Sequence, residues 1–154
     1  MLNFQSFDIT SLRKAYEGGV TPKDVINEVY RRIDEASDPG IFIHLIKKED
    51  VFIAAAKLNN YDFNIKPLWG VPFVIKDNID ATDILTTAGC PEFAYMPKEN
   101  AFVVKQLLEA GALLIGKTNL DQFATGLVGM RTPFPIPRNA LDPEIIPGGS
   151  SSGS

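Results

Sequence analysis

Three consecutive serines follow two glycines in residues 147–154, and Lys76 directly follows the apolar residues 71–75. A serine hydroxyl is a weak nucleophile that must lose its proton during attack. A lysine can take that proton only when it is neutral, which burial or a cationic neighbour favours. Lys76 and the serine run have the residue types of a serine–lysine pair for acyl transfer. Taken alone, however, the two segments favour a flexible glycine–serine linker and a lysine that reaches solvent.

Other residue types that could do chemistry are few. The one histidine, His44, lies in an apolar run, which is more typical of a core or edge position than of a catalytic triad or metal site. Cys90 has no identifiable base beside it, so we interpret it as a buried bystander. Asp77, Asp80 and Asp83 do not have the spacing of a calcium loop, and we expect solvated loop acids. The sequence therefore predicts no metal site and no cofactor.

Length and composition indicate a folded domain. The sequence has 154 residues, of which 45% are hydrophobic and 22% charged, and a chain of this length buries about 70% of its unfolded surface. The net charge is −4 with both signs interspersed, so neither nucleic acid nor an anionic membrane is an expected partner. There is no membrane-length apolar run and no signal-peptide pattern. Because the sequence has one cysteine, we expect a cytoplasmic protein without internal disulfides.

Residues 1–66 predict a mostly helical lead-in. Thr21, Pro22 and Asp24 form a strong start for an amphipathic helix, and Thr10 or Ser11 can cap an earlier one. The predicted elements of this part are helices at 9–17, from 21 to about 36, and at 49–58, with a short strand at 41–46.

Residues 67–154 predict the sheet-forming part. The predicted elements are strands within 68–75 and at 112–116, helices at 101–110 and 120–127, and an ordered proline-rich loop at 128–147. Asn100 can cap the first of these helices. Buried strand, helix and buried strand are typical of parallel α/β architecture, in which sites lie beyond the carboxyl ends of the strands. Lys76 and residues 117–119 fall at such ends.

The predicted fold class is therefore α/β: a helical N-terminus followed by part of a mixed, largely parallel sheet flanked by helices. Residues 1–154 are predicted to form a single domain, without internal repeats.

Several separated motifs resemble the amidase-signature hydrolases, in the order in which that family carries them. The matching segments are 70–78, 111–112, 116–123 and 147–154. Within the family, the sequence is most similar to the allophanate hydrolases, and the segments that carry this likeness are 118–129, 131–133 and 137–140. The catalytic subunits of the glutamyl-tRNA amidotransferases have a similar general pattern but usually carry Asp-Glu-Phe-Ala-Met-Gly where this chain has residues 121–126.

The resemblance implies an acyl transfer that is run by a serine, a second serine on a cis peptide bond, and a lysine. Matched by motif, Lys76 is the base and Ser150 is the bridging serine on the cis peptide. Ser151 and Ser152 are implied as supporting hydrogen-bond partners. A segment that lines the acyl pocket in relatives matches Ala124, Thr125 and Gly126.

The sequence departs from the family pattern at its end. In the family, the nucleophilic serine lies about two dozen residues after the bridging serine, in a glycine-rich stretch whose backbone N–H groups also form the oxyanion hole. Residues 1–154 contain neither, so the resemblance implies an incomplete, N-terminal part of an amidase-signature domain. We expect these residues alone to have no amidase turnover.

The resemblance also implies a function for the complete protein, which is the hydrolysis of allophanate to ammonia and carbon dioxide without a cofactor. Two alternatives stay open. One is the amidase-type subunit of a glutamyl-tRNA(Gln) amidotransferase or another amidase, and the other is a non-catalytic structural or interaction piece. The implied partner is a small-molecule amide, with no nucleic acid and no membrane, and a homodimer is one option for assembly.

Overall fold

The structure of this chain, a computed structural model, describes residue 2 and residues 5–154. This described part is a mixed α/β fold, which confirms the predicted fold class. Its helices are α1 (Ile9–Glu17), α2 (Pro22–Ala36), α3 (Lys48–Ala56) and α4 (Phe102–Glu109). Its strands are β1 (Phe42–Leu45), β2 (Pro72–Lys76) and β3 (Leu113–Thr118). Among the described residues, no helix has the length and apolarity that crossing a bilayer requires.

Residue contacts divide the chain into two compact units. The first unit contains the described part of Met1–Ser37, together with Ile46–Phe73 and Lys105–Ile115. Two clusters of buried apolar side chains stabilise it. One cluster consists of Leu12, Tyr16, Val25, Phe63, Trp69 and Val71. The other consists of Ile26, Tyr30, Val51, Leu113 and Ile115. Helix α2 contributes to both clusters because its apolar residues recur at helical spacing.

The starts of the first two helices depend on local side-chain hydrogen bonds. Thr21 and Asp24 form the reciprocal capping box that their spacing predicts, with Asp24 N–H donating to Thr21 Oγ1 across 3.3 Å. The predicted cap of α1 is wrong, because Thr10 and Ser11 lie inside the helix. Asp8 is the cap, and its Oδ1 accepts a hydrogen bond from Ser11 N–H across 2.9 Å.

The second unit contains Asp38–Leu45, Val74–Val104 and Gly116–Ser154. Most of it is loop, and buried polar side chains take a large share of its interior. These buried polar residues are Asp77, Thr86, Thr87, Lys117, Thr118, Asn119 and Asp121. Buried polar groups are stable only when they are paired, so this unit is organised by specific hydrogen bonds more than by a large apolar cluster.

The three strands form one mixed sheet in the order β1, β3, β2. Strand β1 pairs with β3 in the antiparallel direction, with Phe42 opposite Thr118. On the other side of β3, Leu113 N–H donates to the Val71 carbonyl oxygen, and Asp77 N–H donates to the Thr118 carbonyl oxygen. These two bonds advance in the same direction along both strands, so β2 and β3 are parallel. Their carboxyl ends therefore lie at the same edge of the sheet.

The predicted helix at residues 120–127 is wrong, because only Gln122–Ala124 forms a 3₁₀ turn. Phe123 and Ala124 have left-handed φ angles of 51° and 57°, which a right-handed helix excludes. The cause is Asp121, whose side chain accepts hydrogen bonds from backbone N–H groups further along the chain. Such bonds compete with the helical hydrogen-bond pattern.

Helices α3 and α4 are each shorter than the predicted helices, which spanned residues 49–58 and 101–110. The Lys57 N–H group ends α3 by bonding to the Ala54 carbonyl oxygen, as a 3₁₀ turn does. The Asn100 side chain, predicted to cap α4, instead accepts a hydrogen bond from Thr82 N–H across 2.8 Å.

Candidate active site

Lys76 and Ser150 are in contact, although 74 positions separate them in the sequence. The Lys76 amine donates a hydrogen bond to Ser150 Oγ across 2.6 Å. Lys76 is the last residue of β2, and Ser150 follows a cis peptide bond from Gly149. Both side chains are half-buried. Because the two atoms are within the distance that proton transfer requires, a proton can move between the lysine and the hydroxyl.

Thr118 at the end of β3 holds the end of β2 on both sides of Lys76. Its hydroxyl donates to the Ile75 carbonyl oxygen across 3.2 Å, and its own carbonyl oxygen accepts from Asp77 N–H across 3.0 Å. Because side chains alternate along a strand, fixing residues 75 and 77 fixes the direction in which Lys76 points. A regular strand end is a rigid support for a proton-transferring group.

Asp121 and Gly149 shape the backbone at Ser150. The Ser150 carbonyl oxygen accepts a hydrogen bond from Asp121 N–H across 2.9 Å. A Cβ atom at Gly149 would lie 2.3 Å from Asp121 Oδ2 and 2.6 Å from Gly129 N. Only glycine allows this approach, so the residue before the serine is glycine for steric reasons.

A buried ion pair lies directly behind the end of β2. The Lys117 ammonium is 3.0 Å from Asp77 Oδ1, and both side chains are 0% exposed. Lys117 also donates to Thr86 Oγ1 across 2.7 Å and to the Leu85 carbonyl oxygen across 3.0 Å. The other oxygen of Asp77 accepts hydrogen bonds from the backbone and side chain of Thr87. The expectation of a solvated acid at Asp77 is therefore wrong, because these partners replace water around the carboxylate.

Burial is the main influence on the titration of Lys117. It lowers the pKa of this amine below the ordinary value of 10.5, and the neighbouring Asp77 carboxylate opposes that change only in part. The charged form of Lys117 therefore depends on the Asp77 carboxylate. Asp77 directly follows Lys76 in the chain, so this ion pair lies beside the backbone of Lys76.

The two supporting serines have different surroundings. Ser151 is exposed, and its carbonyl oxygen accepts a hydrogen bond from Ser154 N–H across 3.1 Å. Ser152 Oγ is buried and has no hydrogen-bond partner within the described part of the chain. The structure does not bring either hydroxyl into the hydrogen bond between Lys76 and Ser150.

The predicted acyl-pocket segment lies in the turn that follows Asp121. Ala124 and Thr125 are exposed, and Thr125 Oγ1 donates to the Gln122 carbonyl oxygen across 2.8 Å. Gly126 is buried, and a Cβ atom there would lie 2.3 Å from Asp121 Cγ. This turn is attached to Asp121, whose carbonyl oxygen accepts a hydrogen bond from Ala124 N–H. The Asp121 N–H group in turn donates to the Ser150 carbonyl oxygen.

The remaining candidates have ordinary surroundings. His44 is exposed on β1, at the edge of the sheet. Cys90 is half-buried rather than buried, with its Sγ 3.5 Å from Glu92 Oε2. Within residues 2 and 5–154, as described, no group of three or more histidine, cysteine or acidic residues is arranged to hold a metal ion.

Sequence reasoning missed the structural importance of Asn119 and Asp121. Asn119 Nδ2 donates to the carbonyl oxygens of Gly40 and Pro135 across 3.0 and 2.9 Å, and its Oδ1 accepts from Thr132 Oγ1 across 2.7 Å. It thereby joins three separate segments. A signal was present, because Asn119 directly follows a buried strand and Asp121 lies two residues further on, and side chains at such strand ends reach a common edge of a sheet.

Comparison with known proteins adds to this geometry. A family model described as Amidase matches residues 24–154. The chain is 48% identical over 114 residues to the urea amidolyase of Saccharomyces cerevisiae, an alignment that covers 73% of the chain and 6% of the relative. It is 40% identical over 140 residues to a glutamyl-tRNA(Gln) amidotransferase subunit of an Exiguobacterium species, covering 90% of the chain and 29% of the relative.

Solved structures share the fold. The allophanate hydrolase of Kluyveromyces lactis superposes with a TM-score of 0.77 at 36% identity, over 96% of this chain and 24% of that one. The chain thus spans less than a third of the length of each of these proteins.

Proposed function

The chain belongs to the amidase family, and on that premise we propose that it supplies the lysine and the bridging serine of an amide-hydrolysing catalytic centre. The observation that carries the proposal is the 2.6 Å hydrogen bond between Lys76 Nζ and Ser150 Oγ. Two features support the assignment to catalysis: the residues come from distant parts of the sequence, and each is held by its own backbone hydrogen bonds.

In the proposed mechanism, the proton of an attacking serine passes to the Ser150 hydroxyl while Ser150 passes its own proton to neutral Lys76. The attacking oxygen forms a bond to the amide carbonyl carbon, and the carbon–nitrogen bond then breaks. The leaving nitrogen receives a proton from the Ser150 hydroxyl, and Lys76 returns its proton to Ser150. Water then hydrolyses the acyl-enzyme by the same proton transfers. The attacking serine and the oxyanion-binding N–H groups belong to the part of the family pattern that follows residue 154.

We propose allophanate as the substrate of the complete protein, meaning the native polypeptide that carries these residues. The names of two similar proteins, a urea amidolyase and an allophanate hydrolase, support this choice. The second candidate is the amide-bond chemistry of a glutamyl-tRNA(Gln) amidotransferase, supported by the 40% identity over 140 residues. The proposal includes a cytoplasmic location and a small-molecule amide as partner, without a cofactor.

The test is ammonia release from allophanate by the purified complete protein, compared with a Ser150→Ala variant prepared in the same way. We expect steady turnover that falls by about 10²–10⁴-fold in the variant, because the bridging hydroxyl carries the proton transfer. Absence of ammonia release from allophanate, together with glutamine-dependent amidation of glutamyl-tRNA(Gln), would favour the second candidate. Equal turnover by both proteins would contradict the proposed role of Ser150.

A further prediction concerns residues 1–154 as an isolated polypeptide. We predict no amide hydrolysis above the uncatalysed rate, because these residues hold the proton-transferring pair without the nucleophile. The same ammonia assay checks this, with a Lys76→Ala version as control. Turnover that depends on Lys76 would show that another group in these residues serves as nucleophile.

A further inference from the structure

We infer that Asp121 is a positioning residue for Ser150, holding the bridging hydroxyl in reach of Lys76. The inference rests on the proposed function, because a positioning role has meaning only if Ser150 transfers protons. Asp121 touches Ser150 through its backbone, and its side chain holds the loops on either side. Three kinds of contact carry the argument.

The first contact is the hydrogen bond from Asp121 N–H to the Ser150 carbonyl oxygen, across 2.9 Å. Residue 121 comes soon after β3, whose last residue, Thr118, also fixes the two neighbours of Lys76 in β2. The backbone positions of Lys76 and Ser150 are therefore both fixed by residues at the end of β3. A change in the position of Asp121 must move Ser150 relative to Lys76.

The second contact is made by the side chain. The Asp121 carboxylate is 0% exposed, and its two oxygens accept hydrogen bonds from Gly129 N–H across 3.0 Å and from Arg131 N–H across 2.8 Å. A buried carboxylate of this kind is retained only when such donors replace water. The two bonds close residues 121–131 into a loop. The loop is tied to the serine segment by the hydrogen bond from Gly148 N–H to the Val128 carbonyl oxygen, across 3.1 Å.

The third contact is steric. Gly126 and Gly149 both lie directly against the carboxylate, since a Cβ atom at either position would come within 2.3 Å of an Asp121 side-chain atom. The carboxylate therefore fills the space between the predicted acyl-pocket segment and the peptide bond before Ser150. Its removal or rotation would free both segments to move.

The substitution Asp121→Asn separates this role from simple space filling. An amide has one acceptor oxygen and one NH₂ group, so in either orientation an N–H donor of the side chain faces a backbone N–H donor. The shape is almost unchanged, but one of the two loop-closing bonds is lost. A displacement of about 1 Å in a catalytic group lowers the rate about 100-fold, and we expect a loss of that size in kcat with KM nearly unchanged.

The matched control is Asp142→Asn. Asp142 is exposed, and its carboxylate also accepts a backbone hydrogen bond, from Glu144 N–H across 3.0 Å. We expect this variant to keep the kcat of the unaltered protein. Both variants are made in the complete protein and assayed by ammonia release from allophanate, and their folded fractions are compared by circular dichroism and thermal denaturation.

The decisive measurement repeats Asp121→Asn in a Ser150→Ala background. If Asp121 acts through Ser150, the two losses are not additive, and Asp121→Asn changes kcat in this background by no more than about twofold. A further loss near 100-fold in this background would overturn the inference, because Asp121 would then act on folding or on the substrate pocket. A folded Asp121→Asn variant with unaltered kcat would also overturn it.

These results are distinguishable from a failure of the proposed function. If Ser150→Ala alone keeps the kcat of the unaltered protein, Ser150 is not catalytic, and both proposals fail. If Asp121→Asn does not fold, hydrogen exchange on the unaltered protein still tests the arrangement. The amide hydrogens of Asp121, Gly129 and Arg131 should exchange much more slowly than that of Leu127, a residue that is 84% exposed. Exchange as fast as that of Leu127 would overturn the inference.

Discussion

Replacing Lys117 with methionine should strongly destabilise the protein. Methionine approximates the length of the lysine side chain but lacks its ammonium, so three polar contacts are lost. They are the ion pair with Asp77 at 3.0 Å and the hydrogen bonds to Thr86 Oγ1 and the Leu85 carbonyl oxygen at 2.7 and 3.0 Å. Asp77 stays behind as a buried carboxylate with one uncompensated oxygen.

The expected cost is about 3–5 kcal/mol in the free energy of unfolding, which is typical when one partner of a buried pair is removed. The matched control is Lys105→Met. Lys105 pairs with Glu109 at 3.9 Å, and both side chains are more than half exposed. An exposed pair of this kind contributes about 1 kcal/mol or less.

The assay is urea denaturation of the complete protein followed by circular dichroism. The double variant Lys117→Met with Asp77→Asn should recover much of the loss, since it removes the uncompensated charge, and the cycle should give a coupling of about 0.5–3 kcal/mol. If Lys117→Met costs no more than Lys105→Met, or if the two substitutions are simply additive, the pair does not stabilise the fold as we describe.

Two more predictions test other parts of the chain. The pKa of Glu28 is lowered from 4.5 to about 2, chiefly because Arg31 donates hydrogen bonds to its carboxylate. The contribution of Glu28 to stability is therefore present above pH 4.5 and is lost as pH falls toward 2. The melting temperature of a Glu28→Gln variant should fall less over that range than that of the unaltered protein, and an equal fall would contradict this. Gly153→Ala would place a Cβ atom 2.1 Å from the Ile41 carbonyl oxygen and should cost about 1–3 kcal/mol in unfolding free energy. Gly18→Ala, at an ordinary φ of −80°, should change it by about 1 kcal/mol or less, and equal costs for the two would refute the steric argument.

Local patterns in the sequence predicted local structure well. The capping box of α2 follows from Thr21 and Asp24, because the two partners are only three positions apart. The α/β class follows from the buried runs at β2 and β3 and the helix between them. The contact of Lys76 with Ser150 was predictable only from the family motifs, since nothing in the spacing of two residues 74 positions apart specifies that they meet.

The errors at Asp77 and at residues 120–127 share a physical cause, which is the formation of polar contacts between residues that are not close neighbours in sequence. Asp77 looked like a solvated loop acid because Lys117, its partner, is on another strand. Residues 120–127 looked helical because their apolar positions fit a helix, but the Asp121 carboxylate binds N–H groups of Gly129 and Arg131 instead. Propensity and periodicity describe neighbours along the chain, so they cannot anticipate such pairs.

The most direct test of the account is the effect of Lys76→Ala on kcat for allophanate in the complete protein, with Lys98→Ala, at an exposed lysine, as control. Removal of a general base that lies 2.6 Å from the bridging hydroxyl should lower kcat by about 10²–10⁴-fold while the protein stays folded, and Lys98→Ala should keep full activity. A folded Lys76→Ala protein that turns over at the unaltered rate would contradict the proposed proton transfer through Ser150.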